Sequence, residues 1–179
     1  MNIPNVLTMV RFLLIPVFVY FFFSQNQYSL EIAVSVFILS GITDTLDGYF
    51  ARRLNQITKL GIVLDPLADK IMLVTVLASV TISNNIPIWI VAVVALKEIL
   101  MIAGAISLYN ERDVVIPANK FGKISTILSY MAILAVLFEL PYNRTILYTY
   151  IAITILALFT YLNSFLGLKR QNQFDMIKK

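Results

Sequence analysis

Residues 43–70 read TDTLDGYFARRLNQITKLGIVLDPLADK, and the interpretation of the chain starts from the four aspartates in this stretch. Asp44 and Asp47 are three residues apart, and Asp65 and Asp69 are four residues apart. At these spacings each pair lies on one face of a helix. Because only a short segment separates the pairs, the two helices are predicted to be antiparallel neighbours whose four carboxylates converge.

The composition around this stretch indicates a membrane protein. Of the 179 residues 59% are apolar and 13% are charged, and the mean hydropathy is +0.83. A soluble domain is about 45–50% apolar and about 25% charged. This composition excludes disordered, collagen-like and nucleic-acid-binding proteins. The chain contains no Cys and no His, which excludes disulfides, thiolate nucleophiles and the commonest general base. Acid–base chemistry and metal binding therefore fall to Asp, Glu, Lys or Tyr.

Six stretches have the roughly 20 mostly apolar residues that a membrane-spanning helix needs. The predicted spans are 6–24, 29–50, 61–83, 86–108, 121–140 and 145–167. Their apolar runs are continuous rather than alternating, which favours helices over a barrel. We predict an all-α polytopic membrane protein with a single catalytic domain over residues 1–179. The first helix is expected to be retained, because no basic segment precedes it and Arg11 interrupts its apolar run.

The positions of Lys and Arg predict the orientation of the chain in the cell membrane. Six spans place both termini on one side, and nearly all basic residues outside the spans fall on that side. Only Arg144 falls on the other side. The termini and the loops 51–60 and 109–120 are therefore expected to be cytoplasmic. The basic residues of that side are Arg52, Arg53, Lys59, Arg112, Lys120, Lys123, Lys169, Arg170, Lys178 and Lys179.

Four carboxylates just below the cytoplasmic surface would repel one another strongly. Either their pKa values rise or cations lie between them. Two divalent ions would neutralise four negative charges, and oxygen ligands favour Mg²⁺, with Mn²⁺ or Ca²⁺ as alternatives. Two such ions about 3.5–4 Å apart form the clamp that is used in phosphoryl transfer. A single intramembrane Asp often makes only a helix–helix hydrogen bond, but four at helical spacing favour a site.

Small residues accompany the aspartates. Gly48 follows Asp44 by one turn, and Gly61 precedes Asp65 by one turn. Their missing side chains would let a bulky ligand approach the carboxylate faces. Arg52 lies two turns after Asp44 on the same face, where a guanidinium could bind a phosphate bidentately.

The complete pattern resembles a family signature. It reads Asp44-x2-Asp47-Gly48-x2-Ala51-Arg52-x8-Gly61-x3-Asp65-x3-Asp69. Every position is similar to the signature of the CDP-alcohol phosphotransferase family. The resemblance implies a membrane enzyme that joins a CDP-activated group to an alcohol and releases CMP. It also implies a homodimer of six-helix protomers with a polar cavity that faces the cytosol.

The resemblance also assigns roles to individual residues. It implies that all four motif aspartates ligate metal and that Asp69 in addition takes the proton of the acceptor hydroxyl. Since the chain has no His, a carboxylate base fits the chemistry. The residues implied to contact the CDP-lipid are Asn5, Thr8, Gly48, Arg52, Thr58 and Gly61. For Asn5 and Thr8, helix capping at the interface is the alternative.

The flanking segments IPNVLTMVRFLLIP, LDPLADK and ANKFGKIST resemble the branch of the family that joins CDP-diacylglycerol to glycerol 3-phosphate. Arg112, Lys120 and Lys123 are the candidates for binding the acceptor phosphate, with Ser125 and Thr126 able to help. The positive-inside rule alone is the alternative for these three cations. A branch that uses phosphatidylglycerol as acceptor, and so makes cardiolipin, has similar motifs and remains a second interpretation.

Three further charged groups lie within the predicted spans. Lys97 and Glu98 are interpreted as a structural ion pair rather than as acceptor ligands, because an unpartnered pair there would be costly. Where Lys97 stands, the glycerol-phosphate branch often has Arg, and Ser129 and Tyr130 stand where it often has Gln. Lys70 and Arg11 are each expected to snorkel or to pair with an acid, and Arg11 could also contact a phosphate.

Two other classes of protein fit parts of the pattern. Intramembrane prenyltransferases also use aspartates and Mg²⁺, but they usually have more helices and two separated Asp-rich segments related by a repeat. A cation carrier would be expected to show repeats and broken helices near the membrane midplane. Neither feature is visible in this sequence.

Overall fold

The computed structural model describes residues 3–53, 59–83, 85–112 and 120–177, and the regular structure in these ranges is entirely helical. The prediction of an all-α chain is confirmed for this part of the protein. Its six helices are α1 (Ile3–Phe22), α2 (Ser29–Arg53), α3 (Lys59–Ile82), α4 (Ile88–Arg112), α5 (Lys120–Leu137) and α6 (Asn143–Ile177).

Three helices extend further than the apolar pattern predicts. α2 continues to Arg53 and α4 to Arg112, so residues 51–53 and 109–112 are helical, and their prediction as loop was wrong. α6 continues about ten residues beyond the predicted end of its span, to Ile177. The apolar run reports how much of a helix lies in hydrocarbon, whereas the backbone hydrogen bonds continue through polar residues with good helix propensity.

The helix ends follow local chemistry. Pro4 lies in the first turn of α1, where its missing N–H costs nothing, and Pro87 immediately precedes α4. α5 ends in a left-handed turn, in which Glu139 has a φ of 49°. There the Leu140 N–H donates a 2.9 Å hydrogen bond to the Ala135 carbonyl, which satisfies an otherwise orphaned acceptor.

The described residues form two compact units, residues 1–88 and 89–179. In the first unit α1 packs against both α2 and α3, and more extensively than those two pack against each other. The buried interior of this unit contains Phe18 from α1, Phe37 from α2, and Met72 and Val76 from α3. α1 is therefore the helix that joins the two motif-bearing helices.

In the second unit α5 packs against α6, with Ile133 and Tyr150 buried between apolar faces. Buried hydroxyls of Ser125 and Thr154 share a 2.8 Å hydrogen bond between these two helices. A further hydrogen bond of 3.0 Å links α6 to α4, in which the Tyr161 hydroxyl donates to the Met101 carbonyl.

Two apolar windows in the described part of the chain are long enough to cross a membrane, Ser29–Leu46 in α2 and Asn143–Gly167 in α6. α1 and α5 carry shorter apolar segments. Large apolar side chains such as Leu13, Ile127 and Phe159 are mostly exposed on the outer faces of the helices. The number of helices thus agrees with the prediction, while six membrane spans and a single domain stay predictions.

Candidate active site

One end of the first unit collects the motif-bearing parts of its three helices. Arg11, in the first half of α1, contacts Asp44, in the second half of α2, so the start of α1 and the end of α2 lie at the same end of the unit. Only residues 54–58 separate α2 from α3, and α3 therefore begins at this end as well. The predicted antiparallel arrangement of α2 and α3 follows from this topology.

The four motif aspartates lie at similar distances from the adjoining ends of α2 and α3, counted along each helix. With a rise of about 1.5 Å per residue, Asp44 is about 14 Å from the end of α2 and Asp69 about 15 Å from the start of α3. Asp47 and Asp65 are each about 9 Å from the same two helix ends. Counted in this way, Asp44 and Asp69 form the pair farther from the helix ends, and Asp47 and Asp65 form the nearer pair. The side chains of Asp47 and Asp65 lie outside the described residues.

The carboxylate of Asp44 is paired with the guanidinium of Arg11. The Nη1 atom of Arg11 lies 2.6 Å from Oδ1 of Asp44. Arg11 is completely buried, whereas the Asp44 side chain is 38% exposed. A bond this short between charged partners is strong because the low-dielectric surroundings do not screen it well. Of the interpretations of Arg11 made from the sequence, pairing with an acid is confirmed.

Asp69 also has a cationic partner. The Nζ atom of Lys70 lies 3.1 Å from Oδ2 of Asp69, and the two side chains are 21% and 13% exposed. Although the residues are adjacent and start on different helix faces, the flexible lysine stem reaches back to the carboxylate. The expectation that Lys70 pairs with an acid is confirmed, and the acid is its own neighbour.

Thr8 lies one turn before Arg11 on α1 and is 2% exposed. It is the sixth residue of the helix, so the alternative of helix capping was wrong for Thr8. Asn5 lies within the first turns of α1, but its side chain is outside the described residues. The side chain of Arg52 and the surroundings of Gly48 and Gly61 also lie outside the described residues, although the backbone places these residues on α2 and α3. Thr58 lies wholly outside the described residues.

Among the side chains that the structure describes, no three acidic residues form a cluster that could hold a metal ion. Two of the four predicted ligands, Asp44 and Asp69, belong to this set. The metal centre therefore stays a prediction.

The three candidate cations for the acceptor phosphate belong to the second unit. Arg112 is the last residue of α4, Lys120 is the first residue of α5, and Lys123 follows one turn later with an exposed side chain. The side chains of Arg112 and Lys120 are outside the described residues. The nearby hydroxyls have other partners, because Ser125 bonds to Thr154 and Thr126 donates to the Gly122 carbonyl of its own helix.

Lys97 and Glu98 form a buried ion pair. Nζ of Lys97 lies 2.7 Å from Oε1 of Glu98, and the residues are 5% and 4% exposed. This confirms the pairing that the sequence favoured. Each charge removes much of the cost of burying the other.

The sequence did not predict which acid Arg11 meets, nor that Ser40 is buried one turn before Asp44 on α2. The spacing of Thr8 and Arg11, three residues apart, was the available signal that α1 turns a polar face toward a partner helix. It carried no information on which helix that partner would be.

Comparison with known proteins identifies the family. A model of the CDP-alcohol phosphatidyltransferase family matches residues 1–161 of the chain. A Bacillus subtilis (strain 168) protein named CDP-diacylglycerol–glycerol-3-phosphate 3-phosphatidyltransferase is 33% identical over 155 residues, which cover 79% of this chain and 80% of that protein. A Pseudomonas fluorescens protein of the same name is 51% identical over 77 residues, 43% of this chain and 40% of that protein. A Mycobacterium bovis protein provisionally named a cardiolipin synthase is 36% identical over 127 residues, 70% of this chain and 59% of that protein.

The chain belongs to the CDP-alcohol phosphatidyltransferase family. It is an enzyme that acts on a CDP-linked alcohol and an acceptor alcohol. The resemblance inferred from the aspartate motif is therefore confirmed. Family membership also decides against the prenyltransferase and the cation carrier.

Proposed function

We propose that this enzyme transfers the phosphatidyl group of CDP-diacylglycerol to glycerol 3-phosphate and forms phosphatidylglycerophosphate and CMP. The observation that carries the proposal is the aspartate motif itself, whose four members fall on α2 and α3 near the adjoining ends of these helices, with α1 packed against both. The names of the Bacillus and Pseudomonas relatives support the choice of donor and acceptor.

Asp44, Asp47, Asp65 and Asp69 would hold two divalent cations, Mg²⁺ or Mn²⁺. The donor set fits such ions, because it consists of carboxylate oxygens and the chain has no His or Cys to favour a softer metal. Asp44 and Asp69 each pair with a cationic side chain in the structure, Arg11 and Lys70 respectively, which supports a charged state of both carboxylates. When bound, the two ions would neutralise the diphosphate of the donor and the charge that develops during transfer.

In the transfer step the sn-1 hydroxyl of glycerol 3-phosphate attacks the phosphorus that carries the diacylglycerol. Asp69 accepts the hydroxyl proton while the new oxygen–phosphorus bond forms. The bond from this phosphorus to the bridging oxygen breaks, and CMP leaves with the electron pair. Asn5, Thr8, Gly48, Arg52, Thr58 and Gly61 would bind the CDP-lipid, and Arg112, Lys120 and Lys123 would bind the acceptor phosphate.

A second candidate acceptor is phosphatidylglycerol, which would make the enzyme a cardiolipin synthase. The relative from Mycobacterium bovis supports it, and Lys97, Ser129 and Tyr130 differ from the residues that are frequent in the glycerol-phosphate branch. The first acceptor is preferred, because the flanking segments IPNVLTMVRFLLIP, LDPLADK and ANKFGKIST resemble that branch.

The protein would work as a homodimer in the cell membrane, with six spans per protomer and both termini and the active site on the cytoplasmic side. The exposed apolar side chains of α1, α5 and α6 support contact with lipid. The basic residues near the ends of α2 and α4 support the orientation.

An acceptor screen tests the proposal. Purified protein in detergent with CDP-diacylglycerol and Mg²⁺ is given glycerol 3-phosphate, phosphatidylglycerol, serine or inositol phosphate, and CMP release is measured for each. We expect release with glycerol 3-phosphate, its loss on addition of EDTA, and its recovery with excess Mg²⁺ or Mn²⁺. Release with phosphatidylglycerol alone would replace the first acceptor by the second. Activity that survives EDTA would contradict the metal mechanism.

A further inference from the structure

Arg11 occupies a place in the fold that its pairing alone does not explain. It lies on α1, the helix that packs against both motif-bearing helices, and none of its surface is exposed. Its partner Asp44 is 38% exposed although the guanidinium is fully buried. The contact therefore fixes one side of the carboxylate from inside the protein, while another side of the same group remains accessible from outside.

We propose that Arg11 is a positioning residue, which holds the Asp44 carboxylate in the orientation in which it binds a divalent cation. This inference rests on the proposed function, since it presupposes that Asp44 is a metal ligand.

The geometry favours orientation as the role of this contact. A carboxylate has two oxygens with about four acceptor positions, and Nη1 of Arg11 lies 2.6 Å from one of these oxygens, Oδ1. Because the guanidinium cannot lose its proton and is fully buried, it stays a charged donor to Oδ1 and restrains the carboxylate at that oxygen. Partners of metal-ligating side chains set the direction of the ligand in this way, and their loss typically costs about 10–100-fold in metal affinity.

The packing of α1 supports the same role. Thr8, one turn before Arg11, is 2% exposed, and Phe18, two turns after it, is fully buried and stacks on Phe22 at a centroid distance of 5.4 Å. The buried face of α1 thus continues on both sides of Arg11. Because the helix is packed along this face, the backbone of Arg11 is held in place, which limits how far the guanidinium can move with Asp44.

A comparison of two arginines tests the proposal. Arg11→Lys keeps the positive charge but replaces the planar fork by a flexible ammonium, and Arg144→Lys makes the same change at an exposed site in α6. Binding of Mn²⁺ to the purified, substrate-free proteins is followed by the electron paramagnetic resonance signal of free Mn²⁺. We expect Arg11→Lys to bind Mn²⁺ about 10–100-fold more weakly than the wild type. Arg144→Lys should bind as the wild type does.

Thermal unfolding in EDTA separates positioning from a merely structural role. A structural ion pair predicts a lower melting temperature for Arg11→Lys with an unchanged Mn²⁺ affinity, and this result would overturn the proposal. Arg11→Gln, which keeps a donor but no charge, provides a second measurement and is expected to show the weakened affinity as well. Failure of both variants to fold, while Asp44→Asn folds, would equally assign the pair to structure. If the wild type binds no Mn²⁺ at all, the proposed metal mechanism falls rather than the role of Arg11 alone.

Discussion

At the scale of the residue, Asp69 combines two demands on one carboxylate. The proposed mechanism needs it as a metal ligand and as the base, and the Lys70 ammonium lies 3.1 Å from its Oδ2 atom. Asp69→Asn keeps the size and shape of the side chain but removes the negative charge. We expect turnover to fall at least about 10²-fold, since general-base catalysis alone contributes about 10²–10⁴-fold. CMP release under saturating substrates measures this loss.

Glu31→Gln is the matched control for this change. Glu31 is exposed in the first turn of α2, at the end of the helix opposite to Arg53, so the same loss of charge should leave turnover unchanged. Binding of the CDP-lipid to Asp69→Asn should persist in part, because three carboxylates remain. Normal turnover of this variant would show that another group takes the proton.

Residues also show the limit of what the sequence can predict about the site. The sharing of a face within each aspartate pair could be predicted, because helical spacing alone decides it. The partner of Arg11 could not be assigned, because it depends on which face of α1 turns toward α2. That choice is made by packing between residues more than 30 positions apart in the chain. For Lys70 the sequence predicted snorkelling or pairing with an acid, and the acid is the adjacent Asp69.

At the scale of the element, the contact between α4 and α6 depends on a glycine. A Cβ atom added to Gly104 would lie 2.8 Å from the hydroxyl oxygen of Tyr161 and 3.1 Å from its Cε1 atom. Tyr161 is 6% exposed and its hydroxyl donates a 3.0 Å hydrogen bond to the Met101 carbonyl. Gly104→Ala must therefore displace a buried ring and stretch or break this bond.

Gly167→Ala gives the matched reference, because a Cβ atom there would meet nothing within 4 Å and both glycines are helical. The gain in helix propensity is common to the two variants, so their difference isolates the steric cost. We expect Gly104→Ala to be less stable than Gly167→Ala by about 1–3 kcal/mol, measured by thermal unfolding in detergent. In a Tyr161→Phe background the difference should shrink, and equal stabilities in the wild-type background would contradict this packing.

The ends of elements were the least predictable part of the fold. The apolar runs located all six helices, because burial in hydrocarbon requires that continuity. They placed the ends of α2, α4 and α6 too early, since residues such as Arg53 and Arg112 continue a helix outside the apolar layer. The left-handed conformation of Glu139 after α5 was not predicted, because Glu rarely adopts that conformation.

At the scale of the whole molecule, the proposed orientation in the membrane can be tested by labelling introduced cysteines. The chain contains no Cys, so a single introduced thiol is the only site for a thiol reagent. Gln27 lies in the exposed connection between α1 and α2, on the side predicted to face outward. Gln171 lies on the extension of α6 beyond its apolar window, on the predicted cytoplasmic side.

A membrane-impermeant maleimide added to intact cells should therefore label Gln27→Cys and should label Gln171→Cys only after lysis. The physical reason is the asymmetry of Lys and Arg, which leaves Arg144 as the one basic residue predicted outside and retains the remaining basic loops in the cytosol. The cysteine-free wild type is the background control, and CMP release by each variant shows that it is folded. The reverse labelling pattern would put the aspartate cluster on the outer face, where cytosolic glycerol 3-phosphate could not reach it. Labelling of both thiols in intact cells would contradict an odd number of spans between these two positions.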